Sequence, residues 1–151
     1  MFHVVLLEPE IPPNTGNIIR LCANAGMQLH LIHPLGFSLA TKQLRRAGLD
    51  YHEWVSIKEY PDYPTFRHQF RTARVFACTT KATQCYSGVQ YQDNDVFLFG
   101  PESRGLPNAI LQEFAESEKI RIPMRTYSRS LNLSNAVSII IYEAWRQNNF
   151  K

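Results

Sequence analysis

Long apolar runs are missing from this 151-residue sequence. The most continuous, such as Val4-Val5-Leu6-Leu7, fall far short of the ~18 residues that a membrane-spanning helix needs. No basic segment opens the chain, and Glu8 and Glu10 interrupt any secretory hydrophobic stretch, so a soluble, cytoplasmic protein without a membrane partner is expected. Cysteine is scarce. Cys22, Cys78 and Cys85 make an odd set with no CxxC spacing, which argues against a disulfide framework or a zinc site. His3, His30, His33, His52 and His68 are scattered and supply no HxxxH pair, so no metal is expected. An excess of one charge is lacking too: 16 Lys and Arg against 13 Asp and Glu leave +3, compatible with nucleic acid but too weak to argue for it. With 44% hydrophobic and 19% charged residues the composition excludes a disordered chain. Two nucleotide-binding signatures are also absent. Leu106-Pro107 follows Gly105 where a P-loop needs Lys-Ser/Thr, and no GxGxxG follows the first strand. No Ser-His-Asp or Cys-His order suggests a hydrolase.

What is present is an alternation of short apolar runs and helical periodicities. Residues 2–7 read as a strand buried on both faces. A turn-rich stretch, 9–16, precedes Ile18, Ile19, Leu21, Cys22 and Ala25 at helical spacing, with Gly26 suited to end that helix. Residues 29–32 predict a second strand, 39–47 a short helix, and 54–57 a third strand. Beyond the Pro61-Asp62-Tyr63-Pro64 turn lies a helix carrying Phe66 and Phe70, then a strand over 74–79. Residues 81–94 are polar and aperiodic, as in a long loop. Val96–Phe99 is a buried strand stopped by Gly100, Pro107 starts a helix with Ile110, Leu111 and Phe114, 119–122 form a last strand, and a helix over 131–148 closes the chain. The expectation is one α/β domain spanning 1–151, with a mostly parallel sheet flanked by helices.

Ligands of open α/β sheets bind beyond the carboxyl ends of strands. Three segments predicted at loops entering helices or directly after a strand are crowded with Gly, Asn, Ser, Glu and Arg. In Asn14-Thr15-Gly16-Asn17-Ile18-Ile19-Arg20, Asn14 and Thr15 suit a helix N-cap, but capping does not account for Arg20. Gly100-Pro101-Glu102-Ser103-Arg104-Gly105 follows a strand, and its glycines allow close backbone approach. Ser128-Arg129-Ser130-Leu131-Asn132-Leu133-Ser134-Asn135 enters the last helix with more Ser and Asn than one helix end needs. Cys78, inside a strand, reads as a small apolar residue.

The order and spacing of these segments resemble the SPOUT superfamily of RNA methyltransferases, and within it the small wobble-position tRNA 2′-O-methyltransferases. The likeness runs from Glu8-Pro9-Glu10-Ile11-Pro12 through the three segments and Ile120-Arg121-Ile122-Pro123 to Tyr142-Glu143-Ala144-Trp145-Arg146, and includes residues 44–51. It implies a fold with a C-terminal trefoil knot, S-adenosylmethionine as methyl donor with no metal, and a homodimer acting on the ribose 2′-oxygen of nucleotide 34 in the anticodon stem-loop of tRNA, usually leucine tRNAs. Carried over, Cys78, Gly100, Ile122 and Ser130 are the cofactor positions. Asn14, Arg20, Glu102 and Asn132, with Ser130, match the catalytic pattern. Arg20 is always protonated, so its expected part is to stabilise the developing alkoxide while gripping a phosphate. Asn14 would orient the ribose, and Glu102 would fix Arg20 or a backbone turn. Arg45, Arg46 and Arg129 are expected to meet RNA phosphates. In the closing helix, apolar residues spread beyond one stripe to Ile139, Ile141, Tyr142 and Trp145, which suggests either further sheet contact or a partner subunit. Two other readings stay open: a methyltransferase for ribosomal RNA or another tRNA position, and a non-catalytic RNA-binding module.

Overall fold

The computed structural model describes residues 1–40, 42, 44 and 57–151. Its elements are β1 (His3–Leu7), α1 (Pro12–Ala25), β2 (Gln28–Ile32), β3 (Ile57–Tyr60), α2 (Tyr63–Gln69), β4 (Val75–Cys78), β5 (Gln84–Cys85), β6 (Val96–Phe99), α3 (Asn108–Leu111), β7 (Lys119–Arg121) and α4 (Leu133–Gln147). The seven strands form one sheet in the order β3-β2-β1-β6-β4-β7-β5, and every pairing is parallel.

Both faces of the sheet are covered, which is why the central strands are apolar at nearly every position. Along β1, Val4 and Leu6 enter a core shared with Ile18, Ile19 and Cys22 of α1 and Val137, Ile140 and Ala144 of α4. Val5 and Leu7 enter the opposite core with Phe66 of α2 and Leu111 of α3. The alternation is the two-residue period of a strand. Helix α1 ends at Gly26, whose left-handed φ of 67° lets its N–H reach the Cys22 carbonyl.

Several boundaries differ from the sequence reading. Helix α1 begins at Pro12, with Ile11 as N-cap, and so absorbs half of the expected turn-rich stretch. Proline loses nothing in a first helical turn, because its missing N–H has no partner there anyway. Strand β3 is described over Ile57–Tyr60; residues 54–56 of the expected strand, and all but Lys42 and Leu44 of the 41–47 stretch of the expected 39–47 helix, lie outside the described residues. The expected loop over 81–94 contains edge strand β5 and a 3-10 turn over Tyr86–Gly88. Val89 and Tyr91 beyond that turn are buried, and the Tyr91 ring packs edge-on to Phe76 and Phe97. Helix α3 is a single turn.

Strands β6, β4 and β7 are neighbours. Their carboxyl ends therefore deliver Gly100, Thr79 and Ile122 to one place.

Candidate active site

A cleft of about 570 Å3 opens at these strand ends, a size that suits a small-molecule ligand. The three segments singled out in the sequence converge on it. Its lining includes the four expected cofactor positions, Cys78, Gly100, Ile122 and Ser130, together with Asn14, Glu102, Asn132 and Arg129. Arg20 is not in that lining and is exposed on α1. Six residues separate it from Asn14, which turns it roughly 120° away round the helix. Arg45 and Arg46 lie outside the described residues.

Hydrogen bonds join the three segments in a chain. The N–H groups of Glu10 and Ile11 donate to the Glu102 carboxylate at 2.7 and 3.1 Å. Asn14 reaches the same carboxylate through Nδ2 at 3.5 Å, and its Oδ1 accepts from Asn132 Nδ2 at 2.9 Å. Asn132 caps α4, its Oδ1 accepting from the N–H groups of Ser134 and Asn135 at 2.9 and 3.3 Å. Asn14 and Thr15 cap nothing: both are buried within the first turns of α1, and the Thr15 hydroxyl has no hydrogen-bond partner among the described residues. The Glu102 carboxylate thus holds the 10–11 turn.

Gly100 lets the loop after β6 fold tightly on itself. A Cβ there would sit 2.3 Å from the backbone of Gly105 and Leu106, and Gly105 itself needs a left-handed φ of 66°. The half-buried Cys78 forms part of the wall, and burial pushes its thiol well above the usual range, which favours the neutral thiol. Lys81 of the lining donates from Nζ to Asn108 Oδ1 at 2.8 Å. Thr79, Thr80 and Lys81 line the cleft without having been singled out in the sequence. Their only signal was position, directly after a predicted strand. Apolar Ile120, Ile122 and Leu133 complete the wall, so backbone, hydroxyl and amide groups face a partly apolar slot.

Comparison with known proteins agrees with this architecture. A tRNA (cytidine(34)-2′-O)-methyltransferase of Yersinia pestis is 61% identical over 152 residues, covering 97% of this chain and 94% of the relative. The enzyme of the same description from Escherichia coli strain K12 is 58% identical over 147 residues, with the same coverage of 97% and 94%. A solved structure reported for 2-OH methylation of C/U34 on tRNA superposes with a TM-score of 0.92 at 43% identity, covering 100% of this chain and 98% of that one. An AdoMet-bound rRNA methyltransferase from Sinorhizobium meliloti superposes with a TM-score of 0.85 at 27% identity, over 96% of this chain and 56% of that one. The sequence model of the SpoU rRNA Methylase family matches residues 1–142, and on that match, together with the full-length relatives, the chain belongs to the SpoU (SPOUT) methylase family.

Proposed function

We propose that this protein is a tRNA (cytidine/uridine-34-2′-O)-methyltransferase that uses S-adenosylmethionine. The observation that carries the reading is near-full-length identity of 61% and 58% to two enzymes of that description, with the three segments gathered round one cleft. The residues present fit the cofactor. The cleft has the volume, Ile120, Ile122 and Leu133 offer an apolar wall for a purine, and the backbone near Gly100 and Ile122 with the Ser130 hydroxyl offers polar partners. When bound, the cofactor supplies a methyl group on a sulfonium centre, open to in-line attack by a hydroxyl oxygen.

The chain's own groups position that oxygen. Asn14, fixed at both ends of its amide by Glu102 and Asn132, keeps one N–H and one lone pair for the ribose hydroxyl. Holding the reacting atoms in line is worth roughly 7–11 kcal/mol. Glu102 acts through Asn14 and the 10–11 turn and is a positioning residue. Arg20 faces away from this chain's own cleft, so the part it can take here is to grip a phosphate of RNA that runs from the cleft to the outer side of α1; the 2′-hydroxyl proton leaves to the neighbouring phosphate. Arg129 at the mouth, with Arg45 and Arg46, meets phosphates.

The same reading includes an anticodon stem-loop substrate, leucine tRNAs as its usual source, a cytoplasmic location, a homodimer, and one catalytic domain over 1–151 whose C-terminal half is a trefoil knot. Among the described residues no helix is long and apolar enough to cross a membrane. Labelled methyl transfer into bulk tRNA, followed by mapping of the modified nucleotide, tests the assignment. A 2′-O-methyl group at position 34 is expected; transfer into ribosomal RNA alone, or into no RNA, overturns it.

A further inference from the structure

Glu10 has no place in the reaction described above, yet its carboxylate is one of the most fully engaged on the cleft side. The Ser103 N–H donates to its Oε1 at 3.0 Å, and the Ser103 hydroxyl lies 2.7 and 3.0 Å from its two oxygens. These bonds hold the Glu10 carboxyl below the usual carboxylate range, so it stays charged. In return, Glu102 accepts from the N–H groups of Glu10 and Ile11. Each loop thus holds the other's backbone with a carboxylate. Outside this exchange, Arg104 Nη2 pairs with Glu8 at 2.6 Å.

The two loops leave adjacent strands, since Leu6 of β1 is in register with Phe99 of β6. One leads into α1 and Asn14; the other walls the cleft. Behind Glu10 the chain has no room to retreat. Gly36 donates its N–H to the Pro9 carbonyl at 2.9 Å, and a Cβ on Gly36 would sit 2.9 Å from Glu10 Cα. Glu8 adopts a left-handed φ of 46°, uncommon for a residue with a side chain, at the point where the strand turns toward this clasp.

We infer that Glu10 and Ser103 are a positioning pair: they clamp the start of α1 onto the 100–106 loop and so set the separation between Asn14 and the methyl-donor side of the cleft. The inference rests on the methyl-transfer reading above. Glu10 does not line the cleft, so its effect passes through Ser103 and Glu102. Because Glu10 and Ser103 are partly exposed, the clamp contributes little to global stability. Its effect falls on alignment, to which rate is far more sensitive than binding is.

The test compares Glu10→Ala, Ser103→Ala, the double variant and Ser103→Thr in single-turnover methyl transfer at saturating tRNA and cofactor. S-adenosylmethionine affinity by calorimetry and Tm are measured in parallel. Glu10→Ala is expected to slow transfer by about 10–100-fold, as a displacement of order 1 Å does. Cofactor Kd is expected to stay within about fivefold, the ceiling for an exposed charge. The double variant should be no slower than Glu10→Ala, and Ser103→Thr, which keeps the hydroxyl, should recover most of the rate lost in Ser103→Ala. Additive losses, a Glu10→Ala rate within twofold of the parent, or rate losses that merely follow Tm across the series each overturn the pair. Should the parent methylate no RNA, the functional reading fails and the clamp is still judged by NMR. The side-chain amide signals of Asn14 and Asn132 must shift in Glu10→Ala, and unmoved signals dispose of it.

Discussion

Adding one methyl group at Gly100 puts an atom 2.3 Å from the backbone of Gly105 and Leu106, a contact that only movement of the loop relieves. Gly100→Ala is therefore expected to lower Tm, at a cost of about 1–3 kcal/mol for overpacking, and to weaken S-adenosylmethionine binding by displacing the cleft wall. Gly88→Ala is the control, since a Cβ there meets nothing within 4 Å. Equal melting and cofactor titrations for the two variants would refute the argument. The sequence offered two reasons for glycine at 100, a tight turn and close backbone approach; the structure shows the turn, with the chain's own loop as the neighbour. His30 offers a second residue-scale outcome. It is buried between His3 and Tyr60, with Nε2 and Nδ1 each 3.0 Å from those partners and Phe70 edge-on to its ring. Burial, then the charges of His3 and Lys58, pull its pKa down to about 3. The unfolded chain, titrating near 6.5, therefore binds more protons than the folded one between those values. Stability is complete above the unfolded pKa and lost as pH falls through that window. The urea midpoint should fall as pH drops from about 7 to about 4, with a flatter profile in His30→Phe; a profile unchanged by the substitution would remove His30 as the cause.

At the scale of elements, Asn132 performs two tasks that separate by substitution. It caps α4 through Oδ1 and holds Asn14 through Nδ2. Asn132→Ala removes the cap, worth about 0.5–2 kcal/mol, and strips the buried Asn14 oxygen of its donor, about 1–3 kcal/mol more. Asn132→Asp keeps the cap but turns an acceptor toward Asn14 Oδ1. It should melt closer to the parent than Asn132→Ala while losing most of its methyl-transfer rate. If both variants transfer methyl groups at the parental rate, Asn132 is a cap and nothing more. The sequence displayed this segment's excess of Asn and Ser, and Asn132 accounts for part of it: one Asn serves the helix and the neighbouring segment together. The start of α1 was less legible, because Pro12 and Pro13 read as punctuation when taken alone. Strand β5 escaped notice because two residues at a sheet edge carry no periodicity.

For the whole molecule, the apolar surface of α4 bears on the proposed dimer. Ile141 is buried in the chain's own core and so needs no partner, whereas Tyr142 is 43% exposed and Trp145 half-buried beside it. Sedimentation at micromolar concentration is expected to give a dimer, and Tyr142→Asp to shift it toward monomer; a monomeric parent protein would count against the dimer. Much of this molecule was fixed by sequence. Alternating short apolar runs and helical stripes specify a parallel α/β sheet, since only strands buried on both faces can be apolar throughout. Motif spacing located many of the residues that meet at the cleft, though not Thr79, Thr80 or Lys81, and it grouped Arg20 with them. Tertiary structure alone decided how they meet. Strand order is a non-local choice, and the adjacency of β1, β6, β4 and β7 brings Asn14 to Glu102 and Asn132, 88 and 118 residues away, in one hydrogen-bonded site. The separation of Arg20 from Asn14 is not of that kind: it follows from α1 beginning at Pro12, since residues close in sequence on one helix diverge by their angle around its axis.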